Sequence, residues 1–365
     1  MDLRDRLHDI AIGRGAAGFG VCEVSPFFDV ATELERRSES GMKATLGFTY
    51  GEPGTAANIA LTYPWAASFV AVAHAYMPAA GAAPMTRLGV GTVARFATED
   101  HYVLLRECLE AMAAELVSAG HHAAVMSDDA RLVDRAVAVR AGVGWWGKST
   151  MVLVPGSGPW VLLGSVVTSA DLPRDVPMRR DCGTCTACLA ACPTGALVAP
   201  GILDARLCLA HWLQAPGVIP RRLRAAVGGR FYGCDDCLDA CPPGFPSTDA
   251  VVRRAGKVDL GEVLAADDAT LVSRFSHFYI PGRRARYLRR NALIALTNTS
   301  REAAAPVLGG YAGHPDWLLR LHAVWGLGTL EVDVGRPLID AAAGHERDRR
   351  VRAEIEAALG SGAGS

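Results

Sequence analysis

"DCGTCTACLAACPTG", Asp181 to Gly195, sets four cysteines, Cys182, Cys185, Cys188 and Cys192, at spacings of two, two and three residues, with Pro193 behind the last. A second run, "YGCDDCLDACPPG", holds Cys234, Cys237 and Cys241 before Pro242, and Cys208 stands between the two runs. A chain of 365 residues buries enough surface to fold without covalent staples, so stability is not the reason for this density. The remaining cysteines, Cys22 and Cys108, sit alone in apolar contexts and read as small buried hydrophobes.

Zinc favours Cys-x2-Cys pairs, but a tetrahedral site needs only two of them and has no use for a third cysteine at the same pitch. The x2, x2, x3-Pro run is instead the bacterial ferredoxin spacing, in which three cysteines hold one [4Fe–4S] cube and the fourth reaches to the other. By that crossed logic one cluster takes Cys182, Cys185, Cys188 and Cys241, and the other takes Cys192, Cys208, Cys234 and Cys237. Disulfides are the weakest alternative in a reducing compartment. Cys208 departs from a plain ferredoxin because "LCLAHWLQAPGVIPRRLRAAVGG" is inserted between it and Cys234.

Composition narrows the setting. Thirty-seven basic residues against 38 acidic ones give a formal charge of −1, so the protein as a whole does not attract a polyanion. The opening "MDLRDRLHDIAIGRG" has no apolar run, which predicts a cytoplasmic protein without a secretion signal. Between Pro53 and Thr86 there is no charged residue, but Pro64, Pro78 and Pro84 break the segment, so it reads as buried strand and loop and not as a membrane span.

The flanks predict an α/β (α+β) domain over residues 1–175, a ferredoxin-like two-cluster insert over 176–250, and an α-helical HEAT-like repeat domain over 251–365. The first block reads as a helix to about Arg14, a strand near "AGFGVCEV", a helix "DVATELERRSESGM", a strand "SFVAVAHAYM" and a long helix "DHYVLLRECLEAMAAELVSAG". A helix at "DRAVAVR" and two apolar strands joined by "PGSG" follow. There is neither a Gly-x-Gly-x-x-Gly turn after the first strand nor a P-loop, and "GWWGKST" has the wrong spacing for a phosphate cradle, so it reads as a tight turn with packed tryptophans.

In the last block "AGH" at 312–314 returns at 343–345, Pro306 returns at Pro337, and Ala292, Ala323 and Ala353 follow one another at a pitch of 30 or 31. That period signals stacked helix pairs. Ahead of it "RFSHFYIPGRRARYLRRN" interleaves Arg274, Arg283, Arg284, Arg286, Arg289 and Arg290 with Phe275, Phe278, Tyr279 and Tyr287. Arginines pair with phosphates and aromatics stack on unpaired bases, so the segment is a candidate RNA-binding strip, the alternative being a solvated basic helix.

A cofactor-sized first domain, "CGTCTACLAACPTGAL", "YGCDDC" and terminal helical repeats together resemble the epoxyqueuosine reductases, cobalamin-dependent iron–sulfur enzymes that complete queuosine in tRNA. The resemblance spans nearly the whole chain. It is densest from "DRAVAVRAGVGWWGK" to "YGCDDC", and it includes the Gly217–Pro220 segment. The first domain is also similar to that of reductive dehalogenases. The resemblance implies two [4Fe–4S] clusters and a cobalamin, the anticodon loop of tRNA as partner, an electron donor such as a ferredoxin or flavodoxin, and a monomer.

It further implies that Asp128 is the general acid and a cobalamin neighbour, with Val152, Leu163 and Ala210 as further walls of the cobalamin pocket, while Arg283, Arg284, Arg286, Arg289 and Arg290 face RNA. A carboxyl beneath a corrin face is desolvated and keeps its proton near neutrality. Asp129 is expected to turn away into solvent, and Asp134 to serve as a helix-start charge. The chain departs from the family pattern at Asp100-His101-Tyr102, "CLAHWL", "CPPG" and Asp129, and it lacks an arginine near "GTAAN". Two other readings stand beside this one: a corrinoid reductase of another modified nucleoside or small organic substrate, and a non-enzymatic iron–sulfur electron carrier.

Overall fold

Small and β-branched residues build the central sheet of the first part of the chain. The computed structural model describes residues 2–48, 50–76, 88–244 and 256–360. Met77, Pro78, Pro84, Thr86 and the division at 250/251 named above lie outside them. The sheet takes its strands in the order Ala16–Glu23, Ser68–Ala75, Val161–Thr168, Ala123–Met126. Every neighbouring pair is antiparallel, with Gly20 opposite Ala71, Val70 opposite Val166 and Ala124 opposite Val167. The arrangement is therefore α+β, not a parallel α/β sheet.

The strand Ser68–Ala75 is buried along both faces, which explains its nearly unbroken run of apolar residues. One face is covered by the helix Tyr102–Ser118, whose buried Leu105, Leu109, Met112 and Leu116 recur at helical spacing. Each such side chain contributes on the order of 2 kcal/mol by leaving water. On Ala16–Glu23, a Cβ at Gly20 would stand 2.0 Å from the carbonyl oxygen of Ala141, so only glycine lets the strand pass the end of the helix Asp134–Arg140. The first helix, Leu3–Gly13, is capped by Asp2, which accepts from the Asp5 amide. It is pinned by Arg4, which donates to both carboxylate oxygens of Asp175 at 2.6 and 2.8 Å.

Contacts divide the chain into two units that interleave along the sequence. One comprises 1–78, 99–208 and 235–253, and the other 79–98, 209–234 and 254–365. This grouping differs from the three consecutive blocks 1–175, 176–250 and 251–365, because two segments of the earlier sequence join the last part of the chain.

In the second unit Val90–Val93 forms the middle of a three-stranded sheet, parallel to Arg230–Tyr232 and antiparallel to Gly256–Asp259. The helix Arg286–Thr299 is buried from Leu288 through Thr297 without a break, so it is a central helix and not a surface one. After it come Arg301–Ala312, Trp317–Leu327, Val332–Ala343 and Arg349–Gly360. Pro306 and Pro337 occupy the same place in two of these helices, each removing an intrahelical hydrogen bond. Ala292 and Ala323 are fully buried, but Ala353 is exposed, and the buried residue beside it is Glu354. The third repeat thus places a carboxylate in the core, where it pairs with Arg224 at 3.0 Å. Among the described residues no helix is long and apolar enough to cross a membrane.

Candidate functional site

The first cysteine loop is shaped by its own polar groups. Asp181 accepts from the Gly183 amide at 2.6 Å, Gly183 takes a left-handed φ of 49°, and the Cys185 amide closes a turn on the Cys182 carbonyl at 3.0 Å. Cys188 lies on the short helix Ala187–Ala191, which packs against the helix Asp236–Asp239, and Cys241 follows the latter. This packing brings residues far apart in sequence to one place. Cys182, Cys185, Cys188 and Cys241 line one cavity of about 180 Å³, whose walls include Trp145, Lys148 and Leu153.

The four cysteines share a cavity, and among the described residues no three His, Cys, Asp or Glu side chains close on a single ion. Burial, followed by the charges of Cys182, Cys188 and Cys185, pushes the Cys241 thiol up to about 11. Four thiolates crowded in this way repel one another, and a cationic iron centre relieves the repulsion, so the donor set and the space both fit a cluster.

Of the second set, Cys192, Cys208 and Cys237 belong to the first unit and Cys234 to the other. Burial raises the Cys192 thiol, but the amides of Thr194, Leu197 and Ala196 outweigh it and hold the thiol below its ordinary value. The Ala196 amide lies 3.2 Å from the Cys192 sulfur. Thr194 donates through Oγ1 to the Leu207 carbonyl at 2.7 Å, which ties the Cys192 loop to the residue before Cys208. A thiol prepared in this way favours the thiolate, the form that binds metal.

Asp128 sits at a φ of 52°, a left-handed conformation that aspartate tolerates and that is common at functional turns. Its side chain is exposed by area, yet the surrounding protein raises its pKa by desolvation; Arg135 pulls it down and Asp129 pushes it up. Arg135 shows the same combination of open surface and desolvation, and it lies within electrostatic reach of Asp134, Tyr102, Tyr50 and Tyr76.

Asp134 opens the helix Asp134–Arg140, in the position expected from sequence, but its environment is not that of a simple helix-start charge. Burial and then Asp128 raise its carboxyl well above the ordinary value. Its Oδ1 and the hydroxyl of Ser127 are buried with no hydrogen-bond partner among the described residues. Asp129 turns away from this cluster: Arg131 donates to it at 2.6 Å and lowers its pKa. Two carboxyls whose pKa values are raised, Asp128 and Asp134, thus lie within electrostatic reach of each other and of Arg135.

The other residues marked from sequence fall in varied settings. Val152 has its side chain sealed in the same core cluster as Val137 and Val143, and Leu163 packs against that cluster half-buried. Ala210 belongs to the helix Leu209–Gln214 of the other unit.

The basic strip is not a free surface. Arg290 is wholly buried and donates to the carbonyls of Ala215 at 2.9 Å, Gly217 at 2.6 Å and Trp212 at 2.9 Å. Burial brings its pKa down to about 9. Arg289 is engaged with Asp268 and donates to the Ala266 carbonyl. Arg283 donates to the carbonyls of Ser276, Phe278 and Val272, and Arg286 pairs with Asp316 at 2.7 Å. Phe275 and Phe278 are buried against Phe231, while Arg274, which pairs with Glu262 at 2.9 Å, Arg283, Arg284 and Tyr279 are exposed. Arg289 and Arg290 are therefore corrected from RNA contacts to supports of the fold.

Sequence reading passed over Lys148 and Arg135. Both lie in "DRAVAVRAGVGWWGK", where the resemblance is densest, but neither was given a role there. Nothing in their local spacing links them to cysteines or carboxyls elsewhere in the chain.

Residues 181–244 match the 4Fe-4S double cluster binding domain family, and residues 283–360 match the HEAT repeats family. The epoxyqueuosine reductase of Bacillus cereus is 30% identical over 361 residues, covering 94% of this chain and 93% of the relative. That of Bacillus subtilis is 32% identical over 333 residues, covering 86% of each. A crystal structure of epoxyqueuosine reductase with an epoxyqueuosine-modified tRNA-Tyr stem loop superimposes with a TM-score of 0.89 at 30% identity over 98% of both chains. A Bacillus subtilis structure whose catalytic aspartate loop is swung out of the active site gives 0.87, again at 30% identity over 98% of both chains. Likeness at this level over the full length, in both sequence and backbone, means that the chain belongs to the epoxyqueuosine reductase family and is an oxidoreductase.

Proposed function

We propose that this protein reduces epoxyqueuosine to queuosine in tRNA, with Asp128 as the proton donor. Removing an epoxide oxygen as water takes two electrons and two protons and leaves a carbon–carbon double bond. When bound, a corrin cobalt and two [4Fe–4S] clusters would supply the low-potential electrons, which arrive from a separate one-electron donor. The cysteine sets Cys182, Cys185, Cys188, Cys241 and Cys192, Cys208, Cys234, Cys237 would hold the clusters.

The chain's own part is proton supply and orientation. Asp128, its pKa raised by desolvation, would keep its proton and give it to the departing oxygen. Asp134, within electrostatic reach and itself raised by burial and by Asp128, disfavours a second negative charge there. Arg135 would orient an oxygen-rich substrate or cofactor edge beside them. Leu163 and Ala210 remain candidate walls of the corrin pocket, and Arg284 with Tyr279 a candidate RNA contact. On this reading 1–175 is the catalytic part, 176–250 the electron path, and 251–365 the RNA-facing part.

The observation that carries the proposal is the Asp128–Asp134 pair, a raised carboxyl at a left-handed turn beside one that keeps a buried, unpaired oxygen, in a chain whose relatives are named for this reaction. The test is anaerobic purification with iron, sulfide and cobalt counted, followed by incubation with epoxyqueuosine-bearing tRNA and a low-potential reductant. About eight irons and one cobalt per chain, with queuosine formed, is the expected result. Colourless protein carrying only zinc would overturn the proposal. A fully loaded protein that leaves this tRNA unchanged would favour the small-substrate reductase instead.

A further inference from the structure

We propose that Lys148 is the positioning residue of the first cysteine site, holding the Cys182–Cys185 loop in place and favouring the reduced state of a cluster bound there. The inference rests on the cluster reading of that site. Lys148 is the lysine of "GWWGKST", the turn between the strands Trp145–Trp146 and Val152–Leu153. Its Nζ donates to the Gly183 carbonyl at 2.6 Å and to the Cys185 carbonyl at 2.9 Å. Cys185 is exposed, so this clamp supports the loop that burial does not.

The lysine is itself firmly held. Its carbonyl accepts from the Gly201 amide at 2.9 Å, the Gly147 amide donates to Met151 at 2.8 Å, and the Thr150 amide donates to Gly147 at 3.0 Å. Thr150 takes a φ of 69°, which a β-branched residue adopts only where its surroundings force it. Such strain, on the order of 1–3 kcal/mol, persists where a turn is fixed for a purpose. Ser149 beside it is buried.

The electrostatic argument follows from the same geometry. Lys148 lines the cavity that the four cysteines surround. Each electron added there makes the site more negative, and a cation in the wall stabilises the reduced form over the oxidised one. An ammonium has three donors, and two are used on the loop, so charge and clamp come from one group.

The test is a redox titration of the anaerobically prepared full chain, followed by electron paramagnetic resonance with iron counted, for wild type, Lys148→Met and Lys148→Arg. Methionine keeps the stem and removes both charge and hydrogen bonds. The expected result is a fully loaded Lys148→Met protein in which one cluster's reduced-to-oxidised ratio at a fixed potential falls about tenfold, equivalent to ~59 mV for one electron. The other cluster should stay where it was, and Lys148→Arg should recover most of the shift. Loss of about half the iron from Lys148→Met, with Lys148→Arg fully loaded and its potential close to wild type, supports the same role. A fully loaded Lys148→Met protein with an unmoved potential overturns it, as does equal loss of iron from both variants. Wild-type protein without iron would overturn the cluster reading itself, and this inference with it.

Discussion

Asp134 and Arg290 are both ionisable residues with polar atoms withdrawn from water, and the protein treats them in opposite ways. Arg290 has its guanidinium distributed over three backbone carbonyls and the side chain of Asn291. Asp134 keeps an oxygen buried without a partner among the described residues and has a second carboxyl, Asp128, nearby. A buried charge whose every donor is assigned is architecture. A carboxyl with one buried oxygen unpaired and its pKa pushed up is the kind of group that sites of chemistry use.

The contrast can be broken most severely at its functional end. Asp128→Asn should lower turnover of epoxyqueuosine-bearing tRNA by about 10²–10⁴-fold, the usual worth of a general acid, without moving the thermal midpoint. Asp129→Asn, which removes a solvated ion pair, should stay within a few-fold of wild type in the same assay. Equal losses in the two variants would erase the distinction between these neighbours.

At the structural end, Arg290→Met should leave three carbonyls unsatisfied and cost on the order of 3 kcal/mol. This should appear as an earlier midpoint in denaturant, with turnover per folded molecule preserved.

The pH dependence sharpens the same comparison. A carboxyl whose folded pKa is raised holds its proton after the unfolded chain has released one, so its contribution to stability is fully present below the unfolded value. That contribution is lost as pH rises through the folded one. For Asp134 the folded value is raised, so thermal stability of the wild type should decline across that window, and Asp134→Asn should flatten the decline. A slope identical in both proteins would mean that this carboxyl is not held neutral. The smallest effect is expected at Arg284→Ala, which should weaken tRNA binding by a few-fold and reduce the salt dependence by about one charge.

What could be read from the sequence follows the range of the physics. The grouping of Cys182, Cys185 and Cys188 is a matter of local spacing on one loop, and the long helix Tyr102–Ser118 announces itself through its own periodicity. The raised carboxyl at Asp128 was approached through resemblance alone, because its pKa depends on Arg135 and on the bulk of protein around it. The arginine strip looked uniform in sequence because composition cannot tell which guanidinium meets a carbonyl. The partners of Arg290 lie at residues 212–217, beyond any local window. The strand Val90–Val93 was missed for the same reason: four residues with no alternation become a strand only when edges from Arg230–Tyr232 and Gly256–Asp259 arrive.

That strand also bears on how the protein is made. Val90–Val93 leaves the ribosome well before either of its neighbours has been translated, so its amides and carbonyls must wait in water while the antiparallel sheet of the other unit completes itself around it in sequence. A fragment ending before Gly256 would carry this strand with one edge bare, a template for pairing with another copy. Dissecting the protein by cutting at the cysteine-rich segment is therefore expected to yield aggregates, and a soluble repeat half would need the segment around residue 90 grafted back onto it.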